Sequence, residues 1–379
     1  MDGTADWLID TRLRRQQLRP PQADSPDGAL KNLLAVQSQE FAYARWSLAQ
    51  RGGGDAATLE RAVADGTILR THVLRPTWHF VHRDDLDWLM DLSAPRLHQG
   101  NKGMYRQTGI DAGTAERSGN ILAAAVAGGA HKTREELAGI LAAEGYPGKG
   151  LGFIYLLMHA EISKILVSGA PVRSAGGALK QSYASFPERV AQGSGSGGRE
   201  SALAQLALRY FRSRGPATVK DCAAWSGLTM KDVKEGLRLA EDISPGALAS
   251  FTRDGLEFHL AAEELDAVAP GPLQASPGAA PIVDLIQCYD EYVMGYSQTR
   301  NHLGGTAPYY ASSDAPMHVV LLDGKLAGWW RHRFTGEACE LDVRMDRALD
   351  SAEQAALEDA VQRYGRFLGV PAKLVGAPR

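Results

Sequence analysis

Apolar residues recur every three to four positions along much of this 379-residue chain, the spacing of helices that bury one face. Three segments repeat one order, helices first and a short strand pair after. In the first, helical patterns at about 28 to 36, 41 to 50 and 56 to 65 lead into ILRTHVLR and TWHFVH, apolar-rich strands on either side of Pro76. In the second, ERSGNILAAAVAG, TREELAGILAAEG and LGFIYLLMHAEISK lead into ILVSG and ALKQSYASF. The third starts with ESALAQLALRYFRSRG, a helical pattern stopped by glycine. A short helix, the turn SGLT and a second helix opened by Thr229 as N-cap follow. LASFTRDGLEFHLA then gives two alternating strands joined through Asp254-Gly255.

Helix, helix, turn, helix and a hairpin wing is the winged-helix order, a variant of helix-turn-helix. The expected fold class is α+β: tandem winged-helix units forming a concave DNA-binding surface, plus a small C-terminal α+β domain. The units are placed at residues 1–110, 111–192 and 199–270, with GSGSGG (193–198) and PGPLQASPGAAP (270–281) as linkers. The last domain, 281–379, reads as PIVDLIQCYDEYVMG, strands in MHVVLLDGKLAGWWRHRF and ACELDVRM with a turn at Asp323-Gly324, and a closing helix, SAEQAALEDAVQRYGRFLG.

One stretch interrupts the helical grammar. LLAVQSQEFAYARWSLAQR (33–51) sets Gln37 and Gln39 one residue apart. In a helix such positions point about 200° away from each other, whereas in an extended segment they share a face. The choice is between a solvated helix surface and a short break that aims two amides at one ligand.

Composition narrows the class. Hydrophobic content of 44% and charged content of 22% suit a globular protein. A net charge of -3 exerts no overall pull on nucleic acid, yet arginines cluster locally: Arg12, Arg14 and Arg15 in TRLRRQQLR, Arg331 and Arg333 in WWRHRF. These are candidate contacts to double-stranded DNA. So are Arg300, Asn301 and His302 in SQTRNHLGGTAPYY, where Gly304-Gly305 permits a tight turn able to probe a groove. An ordinary mixed surface and a plain connecting loop are the simpler accounts of the two features. Three scattered cysteines, Cys222, Cys288 and Cys339, fit a reducing cytoplasm and supply no CxxC pair for zinc. MDGTADWLID has no signal-peptide pattern, and no apolar run is long enough to span a bilayer, so no membrane association is expected.

Other constellations are weak. His72, His79 and His82 have no fourth ligand at a supporting spacing, so no metal is expected. GYPGKG lacks the spacing of a phosphate loop, and no GxSxG elbow is present. Asp290 and Glu291, beside an apolar strand end, could do acid-base work but read more simply as loop acids. No cofactor is implied.

LLAVQSQEFAYARWSLAQR, followed by LERAVADGTILRTHVLRPTWHFVHRDDLDWL, resembles the start of the winged-helix DNA glycosylases of the AlkZ type. YDEYVMGYSQTR and VVLLDGKLAGWWRHR are similar to that family's C-terminal part, so the likeness runs over essentially the whole chain. It implies that Gln37, Ser38 and Gln39 hold the family's catalytic motif, with Gln37 and Gln39 as catalytic residues. Ser38 departs from the aliphatic residue usual between them. Glutamine at position 39, where relatives also carry aspartate, matches the branch associated with self-resistance to azinomycin-type antibiotics, which crosslink DNA through purine N7. The implied activity is excision of N7-alkylated purines and unhooking of N7-linked crosslinks by a monomeric, monofunctional glycosylase.

The chemistry fits two amides. Alkylation at N7 makes the base a cationic leaving group, so the transition state is oxocarbenium-like at C1′ and depends little on protonating the base. Amide oxygens can orient a water and face the developing charge. No lysine in the motif can form a Schiff base. A non-catalytic transcription regulator with tandem winged helices remains the alternative; it explains the fold and leaves Gln-Ser-Gln without a role.

Overall fold

The computed structural model describes residues 3–173, 179–190, 197–268, 280–304, 318–336 and 338–375. Residues 193–196 of the first glycine-rich linker, 270–279 of the second and 305–310 of the loop after Arg300, Gly305 among them, lie outside the described residues.

The same topology occurs three times. Helices Pro26–Leu33, Phe41–Gly52 and Ala56–Ala64 are followed by strands Ile68–His72 and Trp78–His82, and a short strand after the first helix, Ala35–Gln37, pairs with the last of them. Helices Ala112–Val126, Arg134–Ala143 and Gly150–Ile162 repeat the order, with Lys132–Thr133 pairing with Ser182–Ser185 beside Leu166–Ser168. Helices Gly198–Arg214, Val219–Ser226 and Met230–Ile243 repeat it again, with the hairpin Leu248–Arg253/Leu256–Ala261, and a bridge from Ala217 to His259 stands where the short strand lies in the other two.

Local chemistry explains the boundaries. Thr133, Thr218 and Thr229 each make a reciprocal capping box with Glu136, Asp221 and Asp232, which satisfies helix N–H groups that have no partner within the helix. The two-residue turns Asp254-Gly255 (φ 50° and 72°) and Asp323-Gly324 (φ 49° and 79°) take the left-handed conformations that match the twist of a hairpin. Helix Met230–Ile243 buries Val233, Gly236 and Ala240, one stripe at helical spacing. Gly236 is needed there because a Cβ would stand 2.6 Å from the Leu203 carbonyl oxygen.

Three features were not expected from the sequence. The first helix stops at Leu33 and not at 36, because Leu34 turns the chain with φ 66° and ψ -46° into the strand Ala35–Gln37. Helix Arg83–Thr108 runs 26 residues through Pro95 and leads to the second unit. The N-terminal helix Gly3–Arg15 packs its Ile9 and Leu13 against Tyr292, Leu303 and Leu321, far along the chain.

The C-terminal part is a five-stranded sheet in the order Val283–Ile286, His318–Leu322, Lys325–Thr335, Ala338–Met345 and Ala372–Val375. Only its last pair is parallel, joined through helix Ser351–Leu368. The first unit's sheet is buried on both faces. Ala35, Leu69 and Val81 join a core with Tyr210, Phe211 and Trp225 of the third unit, while Val36, Ile68 and Phe80 join one with Leu285, Trp330 and Tyr364 of the C-terminal part. Alternate residues of one strand thus serve two cores. Among the described residues no helix is long and apolar enough to cross a membrane.

Candidate active site

Gln37 ends the edge strand Ala35–Gln37, and Ser38 and Gln39 continue as irregular backbone before helix Phe41–Gly52. The motif is therefore a break between helices. Gln37 is 3% exposed and Gln39 half-buried. Both side-chain oxygens are held at one turn of the neighbouring hairpin: Gln37 Oε1 accepts from Arg75 Nη2 at 2.9 Å, and Gln39 Oε1 from the Trp78 backbone N–H at 3.4 Å. Ser38 is fully buried, and its backbone N–H donates to the Trp78 carbonyl at 2.8 Å.

The open edge of this strand is closed by side chains from elsewhere. Glu291 Oε1 accepts the Gln37 backbone N–H (2.9 Å), and Gln287 Nε2 donates to the Gln37 carbonyl (3.1 Å). Arg214 donates to the Leu33 and Ala35 carbonyls and forms an ion pair with Glu291 at 2.6 Å. These groups occupy positions a further strand would fill and pair the Gln37 N–H and the Leu33, Ala35 and Gln37 carbonyls. Beside them Arg51 grips Asp290 through two contacts of 2.6 and 2.9 Å. All four charged side chains are fully buried. Burial raises the Asp290 carboxyl, but the Arg51 charge and the hydrogen bonds from Arg51, Tyr292 and Ser47 together hold the group below its ordinary range.

The carboxylate oxygens of Asp290 and Glu291 are thus engaged in contacts that hold the fold. The neighbouring cations shape the site more directly. Arg70 donates to the Ser38 carbonyl at 3.0 and 2.8 Å and lies 4.4 Å over the Trp78 ring. Burial lowers its pKa to about 10, which leaves it charged near neutrality. Arg75 also donates to the Trp225 carbonyl and to His79 Nε2. His79 is fully buried, and desolvation, helped by Arg75, pushes its pKa well below the ordinary value, so the ring is neutral. The turn is strained: Leu74 has φ 63°, and the Arg75 N–H bonds back to the Val73 carbonyl at 2.7 Å.

The DNA contacts expected from the arginine clusters divide. Arg12 is fully buried, donates to Pro216 and Thr299, and stacks on Tyr296 at 3.8 Å; it is a core strut and cannot reach a phosphate. His302 is likewise inside, between Tyr292 and Tyr296, with its ring nitrogens at the Thr299 and Tyr292 carbonyls. Arg300 donates to the Val293 and Tyr296 carbonyls, whereas Asn301 is exposed. Arg14 and Arg15 are engaged with Asp10, Glu263 and Glu264. Arg331 and Arg333 face outward on the C-terminal sheet in cross-strand pairs with Asp342 and Glu340.

The residues missed in the sequence are Arg70, Arg75, Arg214 and Gln287. The one available signal was ILRTHVLRP, where two arginines interrupt otherwise apolar strands. No group of three or more His, Cys, Asp or Glu among the described residues could hold a metal ion, and the site's own donors are amides and guanidiniums.

A model of the AlkZ-like DNA glycosylases matches residues 30–367. Among solved structures, the DNA glycosylase AlkZ of Streptomyces sahachiroi superimposes with a TM-score of 0.71 at 19% identity, covering 99% of this chain and 100% of that one. No curated protein sequence matches. The regulator alternative finds no support in these likenesses.

Proposed function

Because the chain belongs to the AlkZ-like DNA glycosylase family, we propose that it hydrolyses the N-glycosidic bond of N7-alkylated purines in double-stranded DNA through Gln37 and Gln39, without cutting the strand. The observation that carries this reading is the break at 37–39, which turns two amides toward one hairpin turn where a helix would have pointed them apart. The N7-alkylated base leaves with the bonding pair of the C1′–N9 bond and becomes neutral. Positive charge develops at C1′, water adds there, and its proton goes to solvent. Gln37 Oε1 keeps one acceptor site after meeting Arg75, and it orients the water; Gln39, half-buried at the rim, faces the sugar.

A glutamine is no strong base, so only activated, cationic bases are released. Crosslinks joined through N7, as made by azinomycin-type antibiotics, present that same leaving group, and unhooking them for self-resistance follows from the same chemistry. The duplex is gripped by Asn301 and by Arg14, Arg15, Arg331 and Arg333, whose acidic partners give way to phosphates. Affinity then falls steeply between low and physiological salt.

Single-turnover release of N7-methylguanine from a duplex is the test. Gln37→Ala and Gln39→Ala should each slow release by about 10²- to 10³-fold with little loss of DNA affinity. The double variant should lose less than the product of the two. Full activity in the double variant would remove the motif from the mechanism.

A further inference from the structure

We infer that Arg75 is a positioning residue: it fixes the Gln37 amide and ties its orientation to the seating of the third helical unit, an inference that rests on the catalytic reading of Gln37 above. The geometry is a closed circuit. The Gln37 backbone N–H donates to Glu291 Oε1, and Glu291 Oε2 accepts from Trp225 Nε1 at 2.7 Å. The Trp225 carbonyl accepts from Arg75 Nη1, and Arg75 Nη2 returns to Gln37 Oε1 at 2.9 Å. Three residues, Arg75 of the first unit, Trp225 of the third and Glu291 of the C-terminal part, thus hold Gln37 by its backbone and by its amide.

The chemistry of the partner sets the direction of the amide. A guanidinium has donors and no acceptor, so only the oxygen of Gln37 can face it, and the NH₂ group must point away. His79 reinforces the choice. Its Nδ1 donates to the Thr77 carbonyl at 2.9 Å, which leaves Nε2 as an acceptor 3.2 Å from Arg75 Nη2. The guanidinium is therefore shared by three acceptors: Trp225, Gln37 and His79. Without it, the terminal torsion of Gln37 is free to present either end of the amide to the water, and the oxygen is no longer fixed.

The strain next to Arg75 supports a role beyond filling space. Leu74 adopts a left-handed conformation that a leucine rarely takes, directly before the arginine it aims. Its carbonyl is also the surface against which the third unit's Gly227 packs, since a Cβ there would lie 2.5 Å from the Leu74 oxygen. Any shift of the third unit on the first therefore moves both anchors of Arg75.

Arg75→Met keeps the apolar stem and removes the donors. Single-turnover release of N7-methylguanine should fall on the order of ten- to a hundredfold, with duplex affinity unchanged, because a displaced group loses geometry and not binding. Arg75→Lys should be intermediate, since an ammonium reaches one partner but cannot fork to three. The decisive measurement is the double variant. If Arg75 acts through Gln37, Arg75→Met combined with Gln37→Ala is no slower than Gln37→Ala alone. A wild-type rate in Arg75→Met, or losses that multiply in the double variant, would overturn the inference while leaving Gln37 catalytic. Full activity in Gln37→Ala would instead overturn the catalytic reading and this inference with it. Should Arg75→Met fail to fold, Arg75→Lys carries the same cycle: an intermediate rate that does not compound with Gln37→Ala supports the role, and a wild-type or multiplying rate refutes it.

Discussion

The first and second helical units share a strand order but differ in what surrounds them. The second closes on its own core, Leu122, Leu137, Leu141, Phe153, Leu157 and Tyr183. It meets the first through Val167, Phe186 and Val190, which enter the core shared with the third unit, and through polar side chains, such as Glu161 with His72 at 2.5 Å and Ser168 with the Arg70 backbone N–H. The first unit owns neither of its cores. Each face of its sheet is completed by another part of the chain, and its edge is completed by Arg214, Glu291 and Gln287. The amide motif sits in the unit whose two cores are completed by other parts of the chain. A winged-helix scaffold supplies strands and a turn in both units; only interlocking with distant segments supplies a fixed, desolvated site.

The largest effect expected from that contrast is at Glu291. Glu291→Ala leaves Arg214 as a buried charge without its partner, and the Gln37 and Trp225 donors without theirs. The loss should be about 3–5 kcal/mol in chemical denaturation. Unfolding should register in tryptophan fluorescence, because no tryptophan lies between 111 and 192 while Trp46, Trp88, Trp225 and Trp330 lie in the shared cores. A change below about 1 kcal/mol would mean that the edge is not held as described.

Acid offers a second, smaller discriminator. His79 and His302 are buried with pKa values pushed well below normal, in each case by desolvation first, and burial lowers His318 to about 3. The unfolded chain therefore takes up protons that the folded chain refuses. Stability contributed by these rings is complete above about pH 6.5 and is lost as pH falls below it. Each ring contributes about 1.4 kcal/mol per pH unit in that window. Asp290, whose pKa is lowered, adds its loss only below about pH 4. His79→Asn should flatten the slope of stability between pH 6.5 and 5.5 by about half to nine-tenths of a proton. An unchanged slope would place the imidazole in contact with solvent.

What the sequence made legible was local. Asp-Gly turns, threonine caps and the apolar periods depend on neighbours within a few residues, and the break at Gln37 showed because the helical period failed there. Arg12 was misread because an arginine's charge in the sequence is the same whether its donors meet phosphate or the carbonyls of Pro216 and Thr299. Glu291 and Gln287 act about 250 positions from Gln37, and no periodic signal encodes that pairing. The first unit's strands, ILRTH and WHFVH, read as apolar-rich on alternate positions of both faces, and both faces are buried against other parts of the chain.

The same cap in two settings gives the finest version of the comparison. Thr133 and Thr218 each open a helix with a capping box. Asp221, the partner of Thr218, is fully buried and also accepts the backbone N–H groups of Ser297, Gln298 and Thr299, so that cap joins the third unit to the C-terminal part. Thr218→Ala removes one donor from this buried carboxylate and should cost about 1–3 kcal/mol, with slower excision because the Trp225 end of its helix holds Arg75. Thr133 opens a helix in the second unit, where Glu136 completes its capping box and its short strand pairs with Ser182. Thr133→Ala should cost about 1 kcal/mol. It should leave the rate of N7-methylguanine release at the wild-type value, since nothing in the second unit's cap reaches the amides. Equal effects of the two substitutions on excision would show that the second unit is coupled to the site as tightly as the third, and the contrast between self-contained and shared units would no longer explain where the site lies.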